Sequence, residues 1–205
     1  MNRRNWLQLA AFVLCSQLAA GASAQVAGKD YIALSPPQPG AAHGIEVIEF
    51  FSFACPHCMQ LEPLLQKWRA AQPKDVVLRR VPVAFGRPEW AALARMYVTL
   101  GTIGMADKLD EKVFAAIHIG RVNLADEKTR NDWLGKQGVD LKKYADSSRS
   151  FGVESLVKRA EQLTHDYKVT SVPSIYVDGR YEVQATSYEE LLTNTDLLIA
   201  KARKK

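Results

Sequence analysis

The sequence predicts an α/β fold, and three observations carry that expectation. Ile45-Glu46-Val47-Ile48-Glu49-Phe50-Phe51-Ser52 is rich in β-branched and aromatic residues and reads as a buried strand. Leu61, Leu64, Leu65 and Trp68 follow it at the spacing of one helical face. Towards the C-terminus, Ile175-Tyr176-Val177 and Tyr181-Glu182-Val183 flank Asp178-Gly179, a dipeptide suited to a tight hairpin. Of 205 residues, 47% are hydrophobic and 24% charged, which excludes disordered, collagen-like and low-complexity architectures. The net charge of +5 is too small to argue for nucleic acid as a partner.

Residues 1–24 read as a secretory signal peptide. Arg3 and Arg4 form a positive start, Leu7 to Ala20 is mostly apolar, and Ala22-Ser23-Ala24 is a small-x-small cleavage site before Gln25. A spanning helix needs about 20 apolar residues, more than this interrupted stretch offers, so cleavage is expected. Cys15 leaves with the segment, and Cys55 and Cys58 remain.

Along the rest of the chain, residues 29–34 suit an edge strand. Pro36-Pro37-Gln38-Pro39-Gly40 is a short rigid turn before the central strand. Val76 to Val83 is another strand. Helical stripes follow: Trp90, Leu93, Ala94 and Tyr97; Leu109, Val113, Ala116 and Ile117; Val153, Leu156, Val157, Ala160 and Leu163. Shorter helices are expected around 126–137 and 140–147. Ser187-x-x-Glu190 is a capping box opening a last helix, with Tyr188, Leu191, Leu192, Thr195, Leu198 and Ile199 on one face. Lys201, Arg203, Lys204 and Lys205 hold much of the basic excess, where a helix C-terminus favours cations. No repeat or linker divides the chain, so residues 25–205 are expected to form one domain.

The chemistry lies in Cys55-Pro56-His57-Cys58, at the turn from strand to helix. Pro56 suits the first helical position and puts Cys55 at the N-cap. Cys58 precedes Leu61 by three residues and Leu65 by seven, so it shares their apolar stripe and should be buried and poorly ionised. Cys55 sits at the exposed helix start, where unpaired N–H groups and the positive dipole end favour a thiolate. A reactive thiolate beside a buried resolving thiol is what reversible disulfide exchange needs. His57, between them, is expected to donate to the Cys55 thiolate or to place positive charge near it. A structural zinc site would need four ligands, and His43, His118 and His165 show no paired ligand spacing, so no metal is expected. A purely structural disulfide across so short a loop would be a weak staple.

Phe50-Phe51-Ser52-Phe53-Ala54-Cys55-Pro56-His57-Cys58 resembles the active-site segment of the DsbA family of periplasmic thiol:disulfide oxidoreductases. Related features extend along nearly the whole chain after residue 24. Pro63 matches the helix-kinking proline common in thioredoxin-like proteins. Ser171-Val172-Pro173-Ser174 looks like the family's cis-proline loop, which faces the cysteine pair. The resemblance implies a thioredoxin-like fold with an inserted helical domain, placed at about residues 87–165. It also implies a strongly depressed Cys55 pKa. Glu49 falls where the family has an acid beneath the disulfide, able to accept a proton from Cys58. Arg80 falls where the family often has a lysine paired with that acid; arginine keeps the charge but cannot shuttle a proton.

The resemblance therefore implies a monomeric periplasmic dithiol oxidase that donates its Cys55–Cys58 disulfide to newly exported, reduced and unfolded proteins. The redox-active disulfide serves in place of a cofactor. Substrate backbone would pair with Val172-Pro173 by strand addition, and Met59 would line an apolar groove or pack in the core. A quinone-linked membrane oxidase of the DsbB type would regenerate the disulfide. Two alternatives stay open from the sequence. One is a periplasmic dithiol reductase. The other is a non-catalytic thioredoxin-like module that binds peptides around a static disulfide.

Overall fold

A computed structural model describes residues 25–204. The expected signal peptide, with Cys15, and the terminal Lys205 lie outside the described residues. The first elements are β1 (Tyr31–Ala33), β2 (Ile45–Phe51), α1 (Pro56–Ala71) and β3 (Val76–Pro82). Five helices follow: α2 (Pro88–Thr102), α3 (Ala106–His118), α4 (Glu127–Lys136), α5 (Leu141–Ser148) and α6 (Phe151–Asp166). The chain then returns through β4 (Ser174–Val177), β5 (Tyr181–Val183) and α7 (Tyr188–Ala202). The strands form one mixed sheet in the order β1-β5-β4-β2-β3. β2 runs parallel to β3 and antiparallel to β4.

The alternation of β2 decides what each layer holds. Val47 packs with Leu61, Leu65 and Trp68 of α1 and with Leu198 and Ile199 of α7. Ile48 and Phe50 point the other way, onto Ala160 and Leu163 of α6. Helices therefore cover both faces, and β2 reads as a near-continuous apolar run for that reason. A third cluster joins Phe51, Phe53, Cys55 and Cys58 to Leu93, Met96, Leu109, Val113 and Phe114 of α2 and α3. The helices inserted between β3 and β4 thus build one wall of the cysteine site. The α6 helix belongs to the sheet's own core, and Leu156 differs from its expected role: it is exposed, because Val153, Val157 and Ala160 already fill the buried face.

Local chemistry explains the element ends. Asp126, Asp140 and Ser150 cap α4, α5 and α6, each accepting from a backbone N–H three residues on. Ser187 caps α7 in the same way at 3.1 Å. Glu190 departs from the expected box: its carboxylate takes the backbone N–H and the hydroxyl of Thr186, not the Ser187 N–H. The hairpin has positive φ at both Asp178 and Gly179, as a tight primed turn requires. A Cβ at Gly179 would stand 2.2 Å from the Gln38 carbonyl, so the turn at 36–40 can seat on the hairpin only over a glycine.

Candidate active site

The strand-to-helix turn positions the cysteines as the pattern requires. Cys55 is the N-cap of α1, with extended backbone angles, and Pro56 opens the helix. Pro63 lies inside the helix. Cys58 is fully buried on the stripe of Leu61 and Leu65. Cys55 is more covered than a bare helix start would be, at 6% exposed. The cause is the loop before β4, which lays the Val172 carbonyl 3.4 Å from Cys55 Sγ as acceptor for the thiol. The Val172–Pro173 bond is cis, as the resemblance implied; Ser35–Pro36 is a second cis bond.

The two thiols are free and have opposite acidities. Cys55 is lowered to about 6. The largest cause is a hydrogen bond donated by the Cys58 thiol; burial opposes it, and the backbone N–H groups of Cys58 and His57 and the charge of His57 add to it. Cys58 is pushed far up, first by burial, then by its bond to Cys55 and by the charges of Glu49 and Cys55. Ionisation of Cys55 at neutral pH with Cys58 protonated follows from these environments.

His57 bears out the charge side of the expectation and not the donor side. Its imidazole is exposed, and Nδ1 lies 3.0 Å from the Tyr188 hydroxyl, which also donates to Gln60 Oε1 at 3.0 Å. Its contribution to Cys55 therefore comes from its backbone N–H and from charge at a distance. Met59 is half-buried against the cluster containing Phe51 and Cys55, so it packs. An open groove beside the cysteines is lined instead by His57, Gln60, Val172, Pro173, Gln184 and Tyr188. His118 spends Nε2 on the Phe53 carbonyl at 2.8 Å, tying α3 to the segment before Cys55. Among the described residues, no group of three or more His, Cys, Asp or Glu is arranged to hold a metal ion.

Beneath the thiols lies a buried ionic cluster. The parallel register sets Glu49 directly opposite Arg80. Arg80 Nε meets Glu49 Oε2 at 2.6 Å, Nη2 meets Glu62 Oε2 at 2.6 Å, and Nη1 meets Asp110 Oδ2 at 2.8 Å. The guanidinium also lies over the Phe51 ring, 4.1 Å from its centroid. Glu49 is raised, first by burial, with Arg80 opposing and the charge of Glu62 adding to the rise. The pairing of Glu49 with Arg80 was legible; Glu62 and Asp110 were not singled out. Glu62 does carry a signal, since it follows Cys58 by four residues on the buried stripe. Asp110 follows Leu109 and precedes Val113 on the apolar face of α3.

The comparisons agree with this geometry. The family model described as a DSBA-like thioredoxin domain matches residues 46–194. A protein of Bordetella parapertussis named thiol:disulfide interchange protein DsbA is 37% identical over 203 residues, covering 97% of this chain and 96% of its own. The Pseudomonas aeruginosa PAO1 protein of that name is 37% identical over 190 residues, covering 91% and 90%. The crystal structure of Pseudomonas aeruginosa DsbA superposes with a TM-score of 0.83 at 36% identity, covering 88% of this chain and 95% of that one. That of the oxidoreductase DsbA from Xylella fastidiosa gives 0.82 at 31% identity, covering 88% and 99%. With the cysteine pair at the start of α1, the cis-proline loop above it and helices inserted in a thioredoxin-like sheet, the chain belongs to the DsbA-like thioredoxin family.

Proposed function

We propose that this protein is a thiol:disulfide oxidoreductase that donates the Cys55–Cys58 disulfide to reduced, unfolded proteins exported to the periplasm. The observation that carries the reading is the opposed acidity of the two sulfurs: a thiolate-forming Cys55 at the helix start and a buried, protonated Cys58. A substrate thiolate attacks Cys55 Sγ, the intramolecular S–S bond breaks, and its electron pair goes to Cys58 Sγ, which takes a proton. A second substrate thiolate attacks the substrate sulfur of the mixed disulfide and expels Cys55 as a stabilised thiolate. The substrate leaves oxidised and the enzyme leaves as a dithiol. Glu49, buried near Cys58, is the group assigned to give and recover the Cys58 proton.

The Val172 carbonyl, already turned to Cys55, offers substrate backbone an edge for strand addition, and the groove beside Pro173 takes the flanking residues. The redox-active disulfide serves in place of a cofactor, and the protein works as a monomer. A quinone-linked membrane oxidase of the DsbB type regenerates the disulfide. The signal-peptide pattern of residues 1–24 supports export. The test is catalytic oxidation of a reduced, unfolded multi-cysteine protein by the oxidised enzyme with a disulfide regenerant. Multiple turnovers that vanish in Cys55→Ser are expected. Binding without turnover, or turnover that survives the substitution, overturns the proposal.

A further inference from the structure

The ionic cluster beneath the cysteines holds more acid than its cation can neutralise. Arg80 is one positive charge facing three carboxylates, and all four side chains are buried. The acids are not equally satisfied. Glu62 accepts from both Nη1 and Nη2, at 3.3 and 2.6 Å, and from Gln66 Nε2 at 2.8 Å. Glu49 and Asp110 accept one hydrogen bond each from Arg80, and their second oxygens, Glu49 Oε1 and Asp110 Oδ1, are buried with no partner among the described residues. An ionised carboxylate left half-solvated in a buried site is costly. Glu62 is therefore the best-satisfied carboxylate beside Arg80, and Glu49 and Asp110 are the acids whose ionisation burial opposes.

We propose that Asp110 is a positioning residue for thiol–disulfide exchange: competing with Glu49 for the Arg80 guanidinium, its ionisation sets how readily Glu49 gives its proton to Cys58. The inference rests on the assignment of Glu49 as the proton partner of Cys58. When the S–S bond breaks, the electron pair on Cys58 Sγ takes the Glu49 proton, leaving Glu49 as a carboxylate beside Arg80. With Asp110 neutral, the guanidinium is free to stabilise that carboxylate. With Asp110 ionised, the same guanidinium is shared, and Glu49 holds its proton more tightly. Arginine cannot release a proton at any relevant pH, so control of the transfer falls to the carboxylates.

The groups facing Asp110 are Arg80 of β3, Glu62 of α1, Glu49 of β2, Tyr97 of α2, and Asp107 one turn earlier on α3. Asp107 is itself paired with Arg69 at 3.2 Å. Burial raises Asp110 to about 7, Arg80 offsets part of that, and the neighbouring acids add to it. The competition for Arg80 therefore changes across neutral pH.

The test is the pH profile of reduction of the oxidised protein by a small dithiol, corrected for the attacking thiolate. The wild type is expected to lose rate through an inflection near pH 7. Asp110→Asn, which mimics the neutral acid, should keep the low-pH rate across that range. Glu49→Gln should be slow at every pH. A wild-type inflection that persists in Asp110→Asn, with Glu49→Gln slow, overturns this inference alone. A Glu49→Gln profile matching wild type overturns the assignment of Glu49 and the inference with it. A second measurement needs no variant at Asp110. Carbon-13 titration of its carboxyl in the oxidised protein should give a midpoint near neutrality. Titration in the ordinary carboxylate range overturns the proposal.

Discussion

Replacing Cys58 by alanine removes the thiol that donates to Cys55 while leaving the helix start in place. Cys55 stands at about 6, against 9.0 for the unperturbed thiol. That difference is worth about 4 kcal/mol in favour of the thiolate, at roughly 1.4 kcal/mol per unit. The Cys58 hydrogen bond is its largest cause, ahead of the backbone N–H groups and the charge of His57. A hydrogen bond to an ionised acceptor contributes about 1.5–3 kcal/mol, or roughly one to two pKa units. Cys58→Ala should therefore raise Cys55 to between roughly 7 and 8. Cys58→Ser keeps a donor and should raise it less. Ultraviolet thiolate absorbance across pH reads both variants, with alkylation rates as an independent check. A Cys58→Ala protein that still titrates at about 6 would refute this reasoning and assign the stabilisation to the helix end and His57.

Other expectations follow from the same contacts. His57→Ala should raise the Cys55 pKa by less than Cys58→Ala does, because the imidazole is turned to Tyr188; absorbance titration ranks the two. Arg80→Leu strands buried carboxylates and should cost about 3–5 kcal/mol in urea unfolding. Asp110 also makes stability depend on pH. Its folded-state pKa of about 7 exceeds the ordinary 3.8, so the folded protein holds a proton that the unfolded chain releases. Stability should fall as pH rises from about 4 to about 7, by up to roughly 4 kcal/mol, and Asp110→Asn should flatten that fall. Ser187→Ala removes the α7 cap and should cost about 1 kcal/mol.

The sequence shows most of the scaffold because its elements carry local signals. The β-branched and aromatic run at 45–51 reads as a buried strand, and Asp178-Gly179 between two apolar runs reads as a hairpin. Cys58 was placed in the core by its spacing to Leu61 and Leu65, with no tertiary information. Contacts made by distant segments are legible only through the resemblance, which brings the Val172 loop over Cys55 across 117 positions but says nothing of Tyr188 and His57, 131 positions apart. Neither helix nor strand periodicity encodes such meetings. Glu62 and Asp110 fall between these cases. Each lies on an apolar helical face, but only the approach of Arg80 from β3 turns two isolated acids into one site.

The reduced pair is electrostatically favoured, which makes its disulfide a donor. Equilibrating the protein with defined ratios of reduced and oxidised glutathione, and counting dithiol against disulfide, measures that preference. Each pKa unit by which Cys55 lies below ambient pH shifts the couple by roughly 30 mV towards oxidant. The expected reduction potential is clearly less negative than the about −270 mV of a thioredoxin-type reductase. A value at or below that level would mean the disulfide is the favoured form, and the assignment as a disulfide donor would be contradicted.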